Sequence, residues 1–286
     1  MKTLGILGSD NSHSSSIAQI CNIAKKTPLR VTHIAGESEA SVKKAAEAGA
    51  IPHQVENWQD LAGHVDAIMI DHRHGRDHAE PARYFLEKRI PTFIDKPLTT
   101  DLAQARALLT LAARKETPVC TFGLIPLQAS FRKFRATAEA AGPIRTVNTS
   151  GPVDLDSPHG GIFFYGFHQV DVIVELLGTE AEYAHLQRHG ANGVGTIRFS
   201  GDRLATLNCL SGEAAFHWTA CAGKHVITAP LRYDKAVYLP SARVLYHFAR
   251  VGTVPWSPSR MLAPIAILEA LAKSLQSGRP EKVAKV

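Results

Sequence analysis

A chain of 286 residues, of which 45% are hydrophobic and 20% charged, is long enough for two domains that each bury a core. The formal charge is +6, but Lys and Arg are scattered and form no run interleaved with aromatic residues, which argues against nucleic-acid binding. No apolar stretch reaches roughly 18 residues and the first apolar run is too short for a secretion signal, so we expect a cytoplasmic protein without a membrane partner.

Residues 1 to about 121 alternate short apolar runs with helical patterns, which is typical of a parallel sheet covered by helices. The predicted strands are Leu4–Leu7, Val31–Ala35, Val65–Ile70, Pro91–Ile94 and Val119–Gly123. The predicted helices start near Ile17, at Ser41 with Gly49 as the left-handed residue after Ala48, near His78 and near Leu102. These patterns predict a nucleotide-binding type of domain over residues 1–121.

After residue 122 the β-like stretches are longer and lack intervening helices, which favours an antiparallel sheet. The stretches are Ile144–Ser150, Ala181–Arg188, Gly193–Phe199, Leu204–Leu210 and Phe216–Ala222. Two helices, Phe167–Leu177 and Pro264–Leu275, are expected to interrupt them. The predicted fold class is α/β: a doubly wound parallel sheet, then an α+β domain over residues 122–286 with an open, mainly antiparallel sheet. Apolar residues near its end predict a homo-oligomer through the sheet: Val226, Ile227, Val237, Tyr238, Leu245 and Phe248.

The opening stretch GILGSDNSHS has the strand–turn–helix context of an anion site. Counted from Gly8 in the pattern G-x-G-x-x-G, Asp10 and His13 stand in the places of the second and third glycines, so the dinucleotide fingerprint is broken. A carboxylate about 4 Å from a phosphate costs ~4 kcal/mol at an effective dielectric of 20 unless it turns away. A dinucleotide-binding turn and a merely structural turn both stay open. The candidate cofactor contacts in the turn are Gly8, Ser9, Asp10, Asn11 and Ser12.

Glu37 follows the second predicted strand, where an acidic residue in a dinucleotide-binding domain meets the ribose hydroxyls. Such a carboxylate favours NAD over NADP because it repels a 2′-phosphate. A solvated loop carboxylate is the alternative interpretation.

Two longer stretches, PTFIDKPLTTDLAQARALL and GGIFFYGFHQVDVIVELLG, resemble the glucose-fructose oxidoreductase, inositol dehydrogenase and rhizopine-catabolism family (Gfo/Idh/MocA). The opening GILG, the run VDAIMID and the spacing from His78 to Asp95-Lys96-Pro97 follow in the family's order. The resemblance implies a Rossmann domain and an open-sheet domain. It also implies NAD(P)-dependent oxidation or reduction of a sugar, cyclitol or similar hydroxyl at the cleft between them, and we extend the substrate class to small acidic metabolites.

The resemblance maps Lys96 onto the family's catalytic lysine and His168 onto its catalytic histidine. A base for the hydroxyl proton and an ammonium beside the developing alkoxide suit hydride transfer. The resemblance also suggests a cis peptide before Pro97. It places the stretch that begins at His72 along the cofactor, where we assign Asp95 and Lys96 as well.

Phe164 stands where the family usually has an Asp, four residues before the His. Tyr165 is the neighbouring proton donor, and Asp171 lies on the same helical face as His168, so both are assigned to the substrate side. The lost carboxylate leaves an alternative open: a non-redox family member, either a ligand-binding or regulatory protein or a lyase or isomerase that uses Lys96 and His168.

The stretch DHRHGRDH resembles a metal-ligand cluster, with His72, His74 and His78 among its residues. It follows a strand at the carboxyl edge of the sheet, so we interpret it as lining the cofactor cleft and predict no metal. Arg73 and Arg76 are candidates for a substrate carboxylate or phosphate. The four cysteines stand far apart without a CxxC pair, which predicts free thiols rather than disulfides or a zinc site.

Overall fold

The structure is a computed structural model that describes residues 1–212 and 214–286. Within these ranges the chain forms two compact units that interleave in sequence. The first unit contains residues 1–99, 103–124 and 236–257, and the second contains residues 100–102, 125–235 and 258–286. The division into folding domains at residue 121 stays a prediction.

The strands and helices follow one another along the chain with these bounds: β1 Lys2–Leu7, α1 Ser12–Ala18, β2 Leu29–Ala35, α2 Glu39–Gly49, β3 His53–Gln54, β4 Ala67–Ile70, α3 Ala79–Glu87, β5 Thr92–Ile94, α4 Leu102–Arg114, β6 Val119–Cys120, α5 Ala129–Ala140, β7 Ile144–Pro152, α6 Ile162–Leu177, β8 Ala181–His189, β9 Asn192–Phe199, β10 Arg203–Leu210, β11 His217–Ala222, β12 His225–Pro230, α7 Leu239–Val251, α8 Pro258–Ser277 and β13 Glu281–Lys282. A π-helical turn, Gln19–Ile23, continues α1.

The first unit contains a six-stranded parallel sheet in the order β3-β2-β1-β4-β5-β6, which confirms the predicted doubly wound sheet. All four residues of β4 are buried, as are the last four of β1, because both strands are covered on both faces. The chain leaves β1 towards β2 on one side, while β4 and β5 continue on the other. The carboxyl end of β1 is therefore the switch point at which doubly wound sheets bind ligands.

The end of α2 differs from the prediction at one residue. Ala50 adopts the left-handed conformation, with φ of 47°, whereas Gly49 is the last helical residue. A Cβ on Gly49 would lie 2.5 Å from the Cβ of Ala18. Gly49 therefore permits the close packing of α2 against α1 and is not the left-handed residue.

The second unit contains a seven-stranded sheet in the order β12-β11-β7-β10-β9-β8-β13. Its pairs are antiparallel except for β7 with β10, which run parallel, so the predicted open, mainly antiparallel sheet is confirmed. Helices α6 and α8 pack against each other and against the sheet. Both begin earlier than predicted, at Ile162 and Pro258.

Helices α5 and α7 were not predicted, and α7 corrects part of the apolar surface expected on the sheet. Leu245 and Phe248 are each 1% exposed within α7, and Val237 and Tyr238 also belong to the first unit. Only two of the six residues lie in the sheet, both on β12: Val226 and Ile227. In the described ranges, no helix combines the length and the hydrophobicity needed to cross a bilayer.

Candidate functional site

The turn after β1 requires a glycine at its first position. Gly8 has a φ of +114°, and its N–H donates to the carbonyl oxygen of Ala35 at 2.9 Å. A Cβ on Gly8 would lie 2.5 Å from the carbonyl carbon of Asp71 and 2.7 Å from the nitrogen of His72. The turn therefore lies directly against the chain that leaves β4, and this approach is possible only without a side chain.

The carboxylate of Glu37, at the end of β2, is fixed by this turn. Its Oε2 accepts hydrogen bonds from the N–H of Ser9 at 2.7 Å, from the Ser9 hydroxyl at 2.9 Å and from the N–H of Asp10 at 3.2 Å. Its Oε1 lies 2.8 Å from Nδ1 of His72. Burial alone would raise the pKa of Glu37, but the bonds from His72 and the Ser9 amide outweigh it and lower the pKa to about 2.

The other turn residues divide between solvent and the interior of the unit. The side chains of Asp10 and Ser12 are exposed. Asn11 caps α1 by accepting from the N–H of His13 at 3.4 Å, and its amide nitrogen donates inward to Oδ1 of Asp71 at 2.9 Å. The assignment of these residues to the cofactor stays a prediction.

A buried polar cluster lies where β1, β4 and β5 end. Asp71 and Asp95 directly follow β4 and β5, which are neighbours in the sheet, and they are 0% and 5% exposed. Nδ1 of His13 lies 3.1 Å from Oδ2 of Asp95 and 4.0 Å from Oδ1 of Asp71. The amide nitrogen of Asn11 reaches both carboxyls, since it also lies 3.5 Å from Oδ2 of Asp95.

The pKa values of the two carboxyls in this cluster are shifted in opposite directions. Burial and the neighbouring Asp95 raise the pKa of Asp71 well above its usual range. Burial would also raise the pKa of Asp95, but His13 and Lys96 outweigh it and lower that pKa. The surroundings of the cluster therefore favour ionisation of Asp95 and protonation of Asp71.

Lys96 follows Asp95 and is 7% exposed, with its Nζ 3.9 Å from Oδ2 of Asp95. The Lys96–Pro97 peptide is cis, as the sequence resemblance suggested. His78 is fully buried beside this loop: its Nδ1 lies 2.8 Å from the carbonyl oxygen of Pro97 and its Nε2 lies 2.9 Å from that of His72. His78 thus ties the loop after β5 to the loop after β4.

The three histidines of the sequence DHRHGRDH do not converge on one point. His72 contacts Glu37, His78 contacts two carbonyl oxygens, and Nδ1 of His74 accepts from the N–H of Arg76. Among the described residues, a set of possible metal ligands occurs elsewhere, in the cluster of His13, Asp71 and Asp95.

In the second unit, α6 carries the predicted substrate-side residues. Tyr165 is 42% exposed, whereas His168 is 7% exposed, and the two ring centroids lie 6.0 Å apart. The ring of Phe216 lies 5.8 Å from that of His168. Because α6 begins at Ile162, Tyr165 and His168 share a helical face, three residues apart.

Asp171, also on α6, forms an ion pair with Arg260 of the same unit. Its Oδ1 accepts from Nη2 of Arg260, a residue that also donates to Glu175. Asp171 is 2% exposed, and the charge of Arg260 compensates its carboxylate there. The substrate-side assignment of Asp171 stays a prediction.

The sequence prediction did not include His13 and Asp71 in the site. In the sequence, His13 stands in the place of a glycine of the dinucleotide pattern, and Asp71 begins the histidine-rich stretch DHRHGRDH. Asp71 ends the buried run VDAIMID as Asp95 ends the run PTFID. Two acids that directly follow buried parallel strands are the signal that identifies the cluster, because parallel strands deliver their carboxyl ends to one edge.

A comparison with models of protein families finds a match for the first part of the chain. Residues 2–122 match the model of the Gfo/Idh/MocA family, described as an oxidoreductase family with an NAD-binding Rossmann fold. Through this segment, the chain is similar to the Gfo/Idh/MocA oxidoreductase family. The resemblance noted in the sequence is therefore confirmed. A comparison with curated proteins finds no match.

Solved structures of this oxidoreductase fold match the chain over nearly its whole length. The apo scyllo-inositol dehydrogenase of Lactobacillus casei has a TM-score of 0.87 at 13% identity, covering 100% of this chain and 99% of its own. A putative myo-inositol dehydrogenase of Sinorhizobium meliloti has a TM-score of 0.84 at 16% identity, with 99% and 100% covered. An oxidoreductase of Agrobacterium radiobacter in complex with NAD⁺, L-tartaric acid and magnesium has a TM-score of 0.81 at 12% identity, with 99% and 98% covered. At these identities the likeness establishes the fold.

Proposed function

We propose that this chain is an NAD-dependent oxidoreductase that transfers a hydride between the nicotinamide and a hydroxyl or ketone of a small sugar-like, cyclitol or acidic metabolite. The observation that carries the proposal is the ionised carboxylate of Glu37, held at the end of β2 by Ser9, Asp10 and His72. Solved structures with NAD or NAD⁺ bound share the fold. The match of residues 2–122 to the model of an NAD-binding oxidoreductase family supports the same conclusion.

Glu37 supports NAD rather than NADP. A carboxylate offers about four acceptor positions. Among the described residues, Oε1 of Glu37 contacts only Nδ1 of His72. This oxygen can therefore accept a further hydrogen bond from a ribose hydroxyl. The 2′-phosphate of NADP would bring a second negative charge to the same place. Because the pKa of Glu37 is about 2, protonation cannot remove this repulsion near neutral pH.

Lys96 and His168 belong to different units, and a role is proposed for each separately. NAD, when bound, supplies the hydride acceptor or donor. The ammonium of Lys96, beside Asp95 and after β5, would stabilise negative charge on the substrate oxygen. The imidazole of His168 would accept the hydroxyl proton during oxidation and return it during reduction.

The binding test is a titration of the protein with NADH and with NADPH, followed by nicotinamide fluorescence. We expect NADH to bind at least about tenfold more tightly than NADPH, which corresponds to about 1.4 kcal/mol. Glu37→Gln should reduce this preference, whereas Glu39→Gln, two residues away on the exposed start of α2, should preserve it. Absence of NADH binding at millimolar concentration would contradict the proposal.

The substrate test is a panel of inositols, sugars and hydroxy acids, with NAD reduction followed by absorbance. Turnover with a member of the panel that Lys96→Ala removes would support the proposed chemistry. A protein that binds NADH tightly but turns over no member of a broad panel would retain the cofactor assignment and contradict the substrate class.

A non-redox function is the second candidate, and one observation favours it. Asp10 and His13 replace glycines of the dinucleotide turn, and the amides of Ser9 and Asp10 are already bound to Glu37. Such a protein would bind a metabolite without redox chemistry, or would use Lys96 and His168 as a lyase or isomerase. The NADH titration separates the two candidates.

Cytoplasmic location and self-association through the second sheet form part of the same proposal. Tyr183, Val194 and Leu204 are 38–43% exposed on strands β8, β9 and β10. Burial of such a face against a second copy would remove this apolar surface from water. Light scattering should give an oligomer that Leu204→Asp weakens; a monomeric wild-type protein would contradict this part.

A further inference from the structure

The cluster formed by Asn11, His13, Asp71 and Asp95, here called the His13 cluster, holds more acid than its neighbours neutralise. Asp71 and Asp95 are at most 5% exposed. Within the first unit, Lys96 is the permanent cation beside this pair, with its ammonium 3.9 Å from Asp95, whereas the His13 imidazole is charged only when it is protonated. Burial of a charge without a counter-charge is strongly unfavourable, so the second carboxyl needs a proton or a cation.

An orphan oxygen in the His13 cluster points to a missing ligand. Oδ2 of Asp71 is buried and makes no hydrogen bond, although buried carboxylate oxygens nearly always have a partner. The Asp71 carboxyl therefore has unused capacity to bind a ligand.

We propose that the His13 cluster binds one divalent transition-metal ion through Nδ1 of His13 and the carboxylates of Asp71 and Asp95. The three ligand atoms already lie within 4.8 Å of one another. Metal–ligand bonds of about 2.0–2.2 Å need these atoms to approach a little further. Small side-chain rotations suffice, because the atoms converge from three adjacent strand ends.

Asn11 can supply a fourth ligand. Its amide nitrogen now lies 2.9 Å from Oδ1 of Asp71 and 3.5 Å from Oδ2 of Asp95. A half-turn of the amide exchanges the nitrogen for Oδ1 with little change of shape, at the cost of the long 3.4 Å cap bond that Oδ1 accepts from the N–H of His13. Without a cation that arrangement would bring acceptor against acceptor, whereas a metal ion between them makes it favourable.

The donor set indicates which ions fit. One imidazole nitrogen together with carboxylate and amide oxygens suits Zn²⁺ or Mn²⁺, while Ca²⁺ prefers oxygen donors alone. The inference concerns a ligand other than the dinucleotide and does not depend on redox activity. The ion would neutralise acids at the edge where the phosphates of a dinucleotide are expected to approach.

The test is the binding of Mn²⁺ to the metal-free full-length protein, measured by electron paramagnetic resonance and calorimetry, with Zn²⁺ as competitor. We expect one Mn²⁺ per chain.

Variants locate the ion. Asp71→Asn and His13→Gln should each weaken Mn²⁺ binding by about tenfold or more. Asp77→Asn is the matched control, because this exposed carboxylate lies in the same loop but outside the cluster and should bind as the wild type does. Circular dichroism establishes that each variant is folded.

Two results would overturn the inference. One is the absence of stoichiometric Mn²⁺ or Zn²⁺ binding to the wild-type protein at millimolar ion. The other is equal binding by Asp71→Asn, His13→Gln and the wild type, which would assign the ion to the surface. An NADH titration of the same metal-free sample is read separately, so failure of the proposed function and failure of the metal site are distinguishable.

Discussion

The carboxylate of Glu37 accepts hydrogen bonds from both the N–H and the hydroxyl of Ser9, at 2.7 and 2.9 Å. Glu37, two residues after the end of β2, thereby holds the turn after β1. A Cβ on Gly36 would lie 2.0 Å from the Ser9 hydroxyl oxygen, so the approach depends on the preceding glycine as well. The turn after β1 is therefore organised by a side-chain anion as well as by glycine.

The first prediction concerns acid stability. The folded pKa of Glu37 is about 2, against 4.5 in the unfolded chain, so its contribution is complete above pH 4.5 and is lost as the pH falls towards 2. This difference corresponds to about 3 kcal/mol, which partial exposure reduces to about 2. Glu37→Gln should lower the free energy of unfolding at pH 7 by that amount and flatten its fall between pH 5 and 3. Urea denaturation measures both, and Glu39→Gln should change neither.

The second prediction concerns Gly8. Gly8→Ala places a Cβ 2.5 Å from the backbone of Asp71 at a φ of +114°. Strain and overlap with backbone should together destabilise the fold by about 3 kcal/mol or more. Gly63→Ala is the control, because its Cβ meets nothing within 4 Å, and we expect a change below about 1 kcal/mol in the same chemical denaturation. Equal effects at the two positions would contradict the packing described at the turn.

The third prediction concerns a stack of imidazoles on the first sheet. The ring of His33 lies 4.6 Å from that of His53 and 5.0 Å from that of His64. Burial, His53 and His64 lower the pKa of His33, so the fold favours its neutral form. Stability should therefore fall as the pH drops through about 6.5, where the unfolded histidine gains its proton.

Melting temperatures at pH 7.5 and 5.5 check this dependence. His53→Gln removes one neighbouring imidazole and should reduce the loss at the lower pH. His189→Gln, which is exposed in the second unit, is the control that keeps the wild-type dependence. A loss that is unchanged in His53→Gln would show that other groups cause it.

The fourth prediction concerns Lys96. Lys96→Ala should reduce turnover by about 10²–10⁴-fold, because it removes the positive charge proposed to stabilise the substrate oxygen. Steady-state kinetics with an identified substrate measures the loss, and circular dichroism checks the fold. Lys44→Ala, an exposed lysine of α2, should retain wild-type rates. Unchanged kinetics in Lys96→Ala would remove the catalytic assignment.

The fifth prediction concerns Asp10, whose side chain is exposed beside the turn. In water, charges about 4 Å apart interact by about 1 kcal/mol, so Asp10→Gly should tighten NADH binding by about fivefold if the carboxylate faces the phosphates. Asp10→Asn removes the charge without the added flexibility and should show most of the gain. Fluorescence titration measures both, and weaker binding would show that the Asp10 carboxylate contributes a contact.

Much of the fold was predictable because its patterns are local. Predicted strands such as Val31–Ala35 and Ile144–Ser150 lie within observed strands, and the alternation of strand and helix indicated the parallel sheet. Helix α7 was not predictable in its place, because residues 236–257 pack with the first unit although they follow the second sheet in the chain. The hydrophobicity of a residue such as Leu245 predicts that the residue is buried, but it does not predict which surface the residue packs against.

The sequence by itself indicated the resemblance to the family, the Asp-Lys-Pro loop with its lysine, and the acid after the second strand, because each depends on residues close together in the chain. Only the tertiary structure decided what these residues contact. In the folded chain, Ser9 hydrogen-bonds to Glu37 and His13 contacts Asp95. Asp71 lies beside the same imidazole and the same carboxyl. The physical reason is the parallel sheet, which brings the ends of β1, β4 and β5 to one edge from positions more than 80 residues apart.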